Sequence, residues 1–368
     1  MTGSRASRLV GSLRSFADPR QVGYLIFYVT NRCNFRCRFC FYGDEIEKGV
    51  KPDEMTIGQI ERFSRSVGPL LQLSLTGGEP FLRKDLIEVA SVMIANTNPR
   101  YVTIPTNASL TERMVQVLEP LLAAHPSVFF RVVFSIEGIG DAHDSLRSMP
   151  GSYRKIEESH DALIPLRRRF PNLVLDSNSV FTAQSEDSLL DTVRTISERF
   201  QFDNISVTFA RGEIKDPTLK TRSRQKYAAI HEFLRSRAKH RETRLLYPLW
   251  RAASDVARRN LERVVFDDEF VAPCVAGRKL LVVSETGEVL PCEILGRSMG
   301  QLRDFDWDLK ALLATNQVAD LRRWIRESRC KCSFECALSA GAVWNPVNYV
   351  DVVRAAIGNV GKGEREDG

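Results

Sequence analysis

The sequence predicts an α/β fold: a sheet of about six parallel strands with helices outside it, in an open or closed barrel, followed by a smaller cysteine-rich part. Three observations carry this. Apolar β-rich runs alternate with helical segments at intervals of about 25–45 residues, and such alternation implies parallel pairing through helical crossovers. Four polar or glycine-rich motifs each follow a predicted strand, which gathers them at the C-terminal strand ends, where folds of this kind bind ligands. Eight cysteines fall into two tight groups with more than two hundred residues between them.

The elements follow in order. Residues 21–29 form an apolar strand that runs into Cys33-x3-Cys37-x2-Cys40. A helix over 55–67 leads to a strand at 71–75, which ends in Thr76-Gly77-Gly78-Glu79-Pro80. A helix at 85–95 and a strand at 101–105 precede Thr106-Asn107, and a helix at 110–123 and a strand at 128–135 precede Ile136-Glu137-Gly138. A helix at 153–168, a strand at 173–181, a helix at 187–200 and a strand at 205–209 complete the repeat. Residues 218–244 are helical and basic, with nine Lys or Arg against Glu232 and Glu242; His231 and His240 read there as surface residues. This stripe is a solvated helix face or a docking surface for an acidic peptide or nucleic acid. A hairpin over 280–290, turning at Glu285-Thr286-Gly287, delivers Cys292, and a helix over 307–328 leads to Cys330-x-Cys332-x3-Cys336. Residues 358–368 read as frayed. The expected divisions are a basic arm (1–20), the barrel (21–210), a helical basic connector (211–273), the cysteine-rich part (274–345) and a tail (346–368).

Composition narrows the class. With 43% apolar and 27% charged residues the 368-residue chain is globular, not collagen-like or disordered. The net charge of +6 permits a polyanionic partner without requiring one. No apolar run approaches the ~18 residues of a membrane helix. Residues 1–20 carry Arg5, Arg8, Arg14 and Arg20 against Asp18 and faintly resemble a transit peptide. They lack the apolar stretch of a secretory signal, so the expectation is a partly helical arm packed beside the barrel in a cytoplasmic protein.

Clustered cysteines in such a protein point to metal binding or catalysis before disulfides. Three thiolates on a short loop suit an iron–sulfur cluster, and a four-iron cluster held by three would keep one iron open. Cys33-x3-Cys37-x2-Cys40 resembles the signature of the radical S-adenosylmethionine (radical SAM) superfamily. Gly77-Gly78-Glu79-Pro80 is similar to that family's GGEP motif. Ser135-x-Glu137 with His143-Asp144-x2-Arg147 resembles its fourth-strand region, and Thr106-Asn107 sits where the family has a TN-containing strand end. The resemblance covers about residues 21–210 and implies a partial (β/α)6 TIM-like barrel. It implies that Cys33, Cys37 and Cys40 hold a [4Fe-4S] cluster whose open iron binds S-adenosylmethionine. It further implies that Phe39 packs near the adenine, that Gly77, Gly78 and Glu79 hold the methionine amino group, that Ser135 meets the ribose or carboxylate, and that Arg147 meets the carboxylate. Asn107 joins this cofactor-binding set. The residue chemistry agrees: glycines permit close backbone approach, carboxylates accept from ammonium groups and guanidinium forks onto carboxylates, and an aromatic offers a stacking face.

Cys274-x12-Gly287-x4-Cys292 resembles the opening of the SPASM and twitch extensions of this superfamily, which carry auxiliary clusters. The chain departs from the seven-cysteine SPASM pattern by having five and none after Cys336, so one auxiliary [4Fe-4S] cluster is expected. Cys274, Cys292 and Cys336 are the expected ligands, with Cys330 or Cys332 as the fourth. Four thiolates also suit zinc. Glu293 follows Cys292, where sulfatase-maturating relatives have an acid proposed to take a proton from substrate, and is the candidate general base.

The resemblance implies an oxidoreductase- or transferase-type enzyme with its substrate unassigned. A reductant such as flavodoxin or ferredoxin would supply an electron, S-adenosylmethionine would yield a 5′-deoxyadenosyl radical, and a peptide or small-molecule substrate would lose a hydrogen atom. The auxiliary cluster would then assist oxidation or bond formation. Twenty residues before the first strand are too few for a packed leader-binding domain, which favours a small molecule or a peptide presented by another protein. Alternatives are a nucleic-acid-modifying enzyme using the basic stripe and a non-catalytic iron–sulfur or zinc protein; membrane association is not expected.

Overall fold

The computed structural model describes residues 15–49, 53–221, 223–237 and 247–363. The first strand, β1 (Tyr24–Thr30), is buried along its whole length, as a strand covered on both faces must be. Leu25, Phe27 and Val29 face the main core, while Tyr24, Ile26 and Tyr28 face a second core shared with the C-terminal part. A short helix α1 (Gly43–Glu47) follows the cysteine loop, and α2 (Ile57–Val67) opens on a reciprocal capping box between Thr56 and Gln59. The chain continues through β2 (Gln72–Gly77), α3 (Leu86–Thr97), β3 (Tyr101–Thr106), α4 (Thr111–Ala124) and β4 (Phe129–Ser135). Next come α5 (Asp141–Arg147), α6 (Ser152–Arg169), β5 (Leu173–Phe181), α7 (Leu189–Arg199) and β6 (Asn204–Phe209).

Beyond β6 lie α8 (Arg224–Ser236), α9 (Tyr247–Asp267), β7 (Leu280–Val283), β8 (Glu288–Leu290) and β9 (Gly300–Gln301). Then follow α10 (Leu309–Leu313), α11 (Asn316–Glu327), α12 (Glu335–Trp344) and α13 (Tyr349–Gly363). The strand order is β6-β5-β4-β3-β2-β1-β7-β8-β9. Strands β1 to β7 pair in parallel, and β8 and β9 are antiparallel additions. The fold is therefore α/β with a mainly parallel sheet, and because β6 and β9 stand at opposite ends the barrel is open.

Several expectations need correction. The expected helix over 307–328 is broken between α10 and α11, where the Thr315 side chain caps the second helix at Val318 N–H. The tail expected to fray is helical through Gly363, with 364–368 outside the described residues. His231 is not a surface residue: its ring packs 4.3 Å from that of Tyr227, and burial holds its pKa down at about 3. His240 lies outside the described residues, as do 1–14 of the arm. Of the described arm, the Ser15, Asp18 and Gln21 carbonyls accept from the Lys279 ammonium at the foot of β7. In the basic stripe, Arg224 pairs with Asp267 and Lys226 with Glu186 and Asp187. Among the described residues no helix is long and apolar enough to cross a membrane.

Candidate functional site

The C-terminal ends of β1 to β6 open into one cavity of about 230 Å³. Its wall collects Cys33, Cys37, Phe39, Cys40, Gly77, Gly78, Glu79, Asn107, Ser135 and Arg147 from the ends of β1 to β4 and the four connections that follow them, together with Glu293 from the C-terminal part. The strand-end rule thus brings the front-half candidates together.

The cysteine loop is held from beneath. Gly78 N–H donates to Thr30 O at 2.9 Å and Glu79 N–H to Arg32 O at 2.7 Å, so β2 grips the start of the loop. A Cβ at Gly77 would stand 2.1 Å from Thr30 O, and one at Gly78 2.1 Å from Arg32 O. The close approach that these glycines permit is therefore to backbone, not to a ligand. Within the loop, Phe35 N–H donates to Cys33 Sγ at 3.4 Å. Burial pushes Cys33 up to about 12 and Cys40 up to about 11, and raises Cys37 against the pull of Arg147. Thiols in that state bind a metal only by releasing protons.

Glu79 is 1% exposed. Its Oε1 accepts from Thr106 Oγ1 at 2.9 Å and Phe81 N–H at 3.2 Å, and Oε2 from Asn107 N–H at 2.8 Å. Burial lifts its pKa to about 7 despite these donors. The carboxylate thus ties the end of β2 to the end of β3. Asn107 Nδ2 then donates to Asn34 in the cysteine loop at 2.8 Å.

The fourth-strand motif divides its labour. His143 Nδ1 accepts from Glu137 N–H at 3.1 Å. Asp144 caps α6 through Ser152 Oγ and Tyr153 N–H, both at 2.8 Å. Arg147 forms an ion pair with buried Glu137, reaches Cys37 Sγ at 3.6 Å and lies over the Phe39 ring at 5.3 Å. Burial disfavours its charge, but Cys37 and Glu137 more than restore it. Its guanidinium is therefore already engaged, and Phe39 packs against Leu146, Ile214 and Leu219.

Glu293 reaches the same cavity. It accepts from Tyr28 Oη at 2.9 Å and pairs with Arg211 at 2.9 Å. Arg211 also approaches Glu335 at 3.5 Å, and Glu335 accepts from Phe209 N–H at 2.8 Å. Sequence reasoning missed Tyr28, Arg211 and Glu335. The available signals were weak: Arg211 lies just past a strand end, and Tyr28 shares the Tyr24 face of β1. The Tyr28 ring also meets Tyr42 edge-on at 4.7 Å, and Tyr42 Oη donates to Glu285 at 2.6 Å.

The other cysteines lie apart from this cavity. Cys274, Cys330 and Cys332 line a small cavity of about 30 Å³, while Cys292 is buried in the second core, against which Cys274, Cys332 and Cys336, on the first turn of α12, also pack. All eight cysteines are free thiols. Among the described residues no group of three or more His, Cys, Asp or Glu is arranged to hold a single metal ion.

Comparison with known proteins bears on this site. Residues 27–196 match the model of the Radical SAM superfamily. The GTP 3′,8-cyclase of Stenotrophomonas maltophilia (strain K279a) is 38% identical over 96 residues, 26% of this chain and 29% of that protein. The GTP 3′,8-cyclase of Haemophilus influenzae (strain PittEE) is 34% identical over 102 residues, 27% of this chain and 30% of that protein. The chain thus matches under a third of the length of these curated relatives. Among solved structures, anSMEcpe with bound AdoMet superposes with a TM-score of 0.58 at 14% identity, covering 92% of this chain and 99% of that one. Streptococcus suis SuiB bound to S-adenosylmethionine gives 0.58 at 19% identity, covering 87% and 72%. These likenesses show the fold. The sequence match to the Radical SAM superfamily model over residues 27–196 and the open parallel barrel agree with one another.

Proposed function

We propose that the chain is a radical SAM enzyme whose cavity at the strand ends binds S-adenosylmethionine. The observation that carries this is the convergence of three cysteines with Glu79, Asn107, Ser135 and Arg147 on one cavity wall. The thiol set fits an iron–sulfur cluster: three sulfurs on a loop whose backbone N–H groups already point at Cys33 and Cys40, an arrangement that favours anionic sulfur. Cys33, Cys37 and Cys40 would hold the cluster, which would supply the electron, received from a reductant such as flavodoxin or ferredoxin, for reductive cleavage of S-adenosylmethionine and hydrogen-atom removal from substrate. Arg147 offsets the negative charge at Cys37. Glu79 retains acceptor capacity on Oε2 for an ammonium group. Ser135 offers a hydroxyl at the end of β4. Glu293, oriented by Tyr28 and Arg211, stands where a substrate proton would be received. A second cluster in the 274–345 part would take up the electron that an oxidation releases.

The deciding experiment reconstitutes the protein with iron and sulfide without oxygen, reduces it, and measures 5′-deoxyadenosine. Wild type should form it and Cys37→Ala should not. Persisting formation in the variant would refute the assignment.

The cavity's charges favour a substrate without a polyphosphate, a peptide segment or an unphosphorylated small molecule. Arg147 is paired with Glu137, Arg211 with Glu293 and Glu335, and Lys215 with Glu47. Arg36 donates to the carbonyls of Cys33 and Phe35. A triphosphate needs uncommitted cations; the Arg147–Glu137 and Arg211–Glu293 pairs are buried, and separating them leaves a buried charge unpaired, whereas the Lys215–Glu47 pair is half exposed and easier to open. GTP added to the reconstituted enzyme should neither bind at micromolar concentration nor raise 5′-deoxyadenosine output. Micromolar GTP binding would overturn this substrate class and leave the radical SAM assignment standing.

A further inference from the structure

Two arginines stand beside the small cavity that Cys274, Cys330 and Cys332 line, and a third adjoins the first of them. Arg278 is exposed and donates to the Cys274 carbonyl at 3.2 Å. Arg329 is exposed immediately before Cys330, its guanidinium 4.5 Å from the centre of the Phe270 ring. Arg322, on α11, donates to the Gly277 carbonyl at 2.6 Å. Burial first, and the Arg278 charge second, hold its pKa below the usual guanidinium value. Among the described residues none of the three forms a salt bridge. Acids of this part serve other cations: Asp320 pairs with Arg323, Glu327 with Arg326 and Asp268 with Lys331.

The strand-end cavity is the reverse, for its Arg147, Arg211 and Lys215 are each matched by a glutamate. Uncommitted positive charge therefore gathers on the C-terminal face, around partly exposed thiols and beside the apolar Val271, Ala272 and Pro273 of the same cavity. An apolar centre with a charged rim is the build of a protein interface, and unmatched charge of one sign selects a partner of the other.

We propose that this face is the docking surface for a small acidic electron-carrier protein, which exchanges one electron with the C-terminal cluster. This rests on the auxiliary cluster proposed above, and it places the carrier away from the mouth of the strand-end cavity. One electron passes from the reduced cluster to an oxidised iron–sulfur carrier, and no bond or proton moves. Three arginines around a thiol pocket make a small, salt-sensitive contact of the kind transient redox pairs use. A nucleic acid is the poorer match: a strand is tracked by a long groove of cations and makes no use of the thiols beneath.

The test uses the full-length protein, reconstituted with iron and sulfide without oxygen, and an oxidised acidic [2Fe–2S] ferredoxin as probe. Association is followed at low and high salt. Arg278→Gln/Arg329→Gln should associate at least about tenfold more slowly than wild type and lose most of the salt dependence. Arg278→Lys/Arg329→Lys keeps the charges and should stay near wild type. Arg154→Gln/Arg169→Gln removes the same net charge from exposed positions on α6 and should also stay near wild type. Far-UV circular dichroism and iron content verify that each variant is folded and loaded. A wild type that does not bind the ferredoxin would overturn the proposal, as would equal rates in the glutamine pair at 278 and 329, or an equal loss in the α6 pair. A single-stranded RNA oligonucleotide whose binding falls in the 278/329 glutamine pair, while ferredoxin binding holds, would reassign the face to nucleic acid. Iron counted in Cys33→Ala/Cys37→Ala/Cys40→Ala protein separates the two readings. No iron there refutes the auxiliary cluster and the electron exchange with it; iron present with ferredoxin association unmoved by the glutamine pair refutes the docking surface alone.

Discussion

His143 shows how much a single side chain in the fourth-strand motif carries. It is buried, and its Nδ1 accepts the Glu137 N–H that sets the turn after β4. Burial first, and the Arg147 charge second, hold its pKa down at about 3. In the unfolded chain the ring takes a proton near pH 6.5. Between those values the unfolded state binds the extra proton, so this residue's contribution to stability is present above about pH 6.5 and is lost as the pH falls toward 3. Its slope is at most about 1.4 kcal/mol per pH unit. His143→Asn keeps an acceptor for the Glu137 amide and removes the titration. Urea unfolding of both proteins from pH 8 to pH 4 should show the wild type losing its advantage in acid, and parallel curves would refute the account. The motif's chemical letters were legible in the sequence because they lie within one turn and one helix. Their partners were not: Arg147 was expected to await a carboxylate from outside, yet it is held by Glu137, ten positions earlier. An ion pair internal to a motif reads the same, as letters, as two groups waiting for a ligand.

The connection from β2 to the cysteine loop places a prediction at the level of the element. Gly78→Ala would set a methyl group 2.1 Å from Arg32 O. The end of β2 would have to leave β1, releasing the Glu79 N–H bond to Arg32 that fixes where the loop begins. Overpacking of this kind costs roughly 1–3 kcal/mol. The variant should unfold at lower urea concentration and take up less iron on reconstitution than wild type; equal values on both counts would count against the grip described. Element positions were largely readable where apolar runs were long and flanked by turn residues, as in β1 to β6. The interruption between α10 and α11 was harder to see, because Thr315 serves equally as an interior residue and as a cap. So was α12, Glu335–Trp344, whose small residues give only a faint amphipathic pattern.

At the scale of the molecule, β1 is the seam. It pairs with β2 on one side, with Tyr24 opposite Gln72, and with β7 on the other, with Tyr24 opposite Leu280. The cysteine-rich part is thereby continuous with the barrel sheet, and Glu293 reaches the strand-end cavity because β7 and β8 lie beside β1. No run of residues signals this, since parallel pairing across some two hundred and fifty residues leaves no local pattern. The Arg211, Glu293 and Glu335 network was hidden for the same reason: its members come from three distant segments.

That seam bears on how the chain is made. β1 leaves the ribosome early, and its second partner follows only after about 250 more residues, roughly ten to fifty seconds at ordinary rates of synthesis. Throughout that interval an apolar strand edge with unmet hydrogen-bonding groups is available to any other chain. A version ending at residue 273 would keep that edge permanently and should collect in the pellet when expressed, whereas the full-length chain stays in the supernatant. A soluble, monomeric truncation would show the edge to be harmless. If it is not, the newborn chain must be kept from other chains until β7 has emerged to cover that edge.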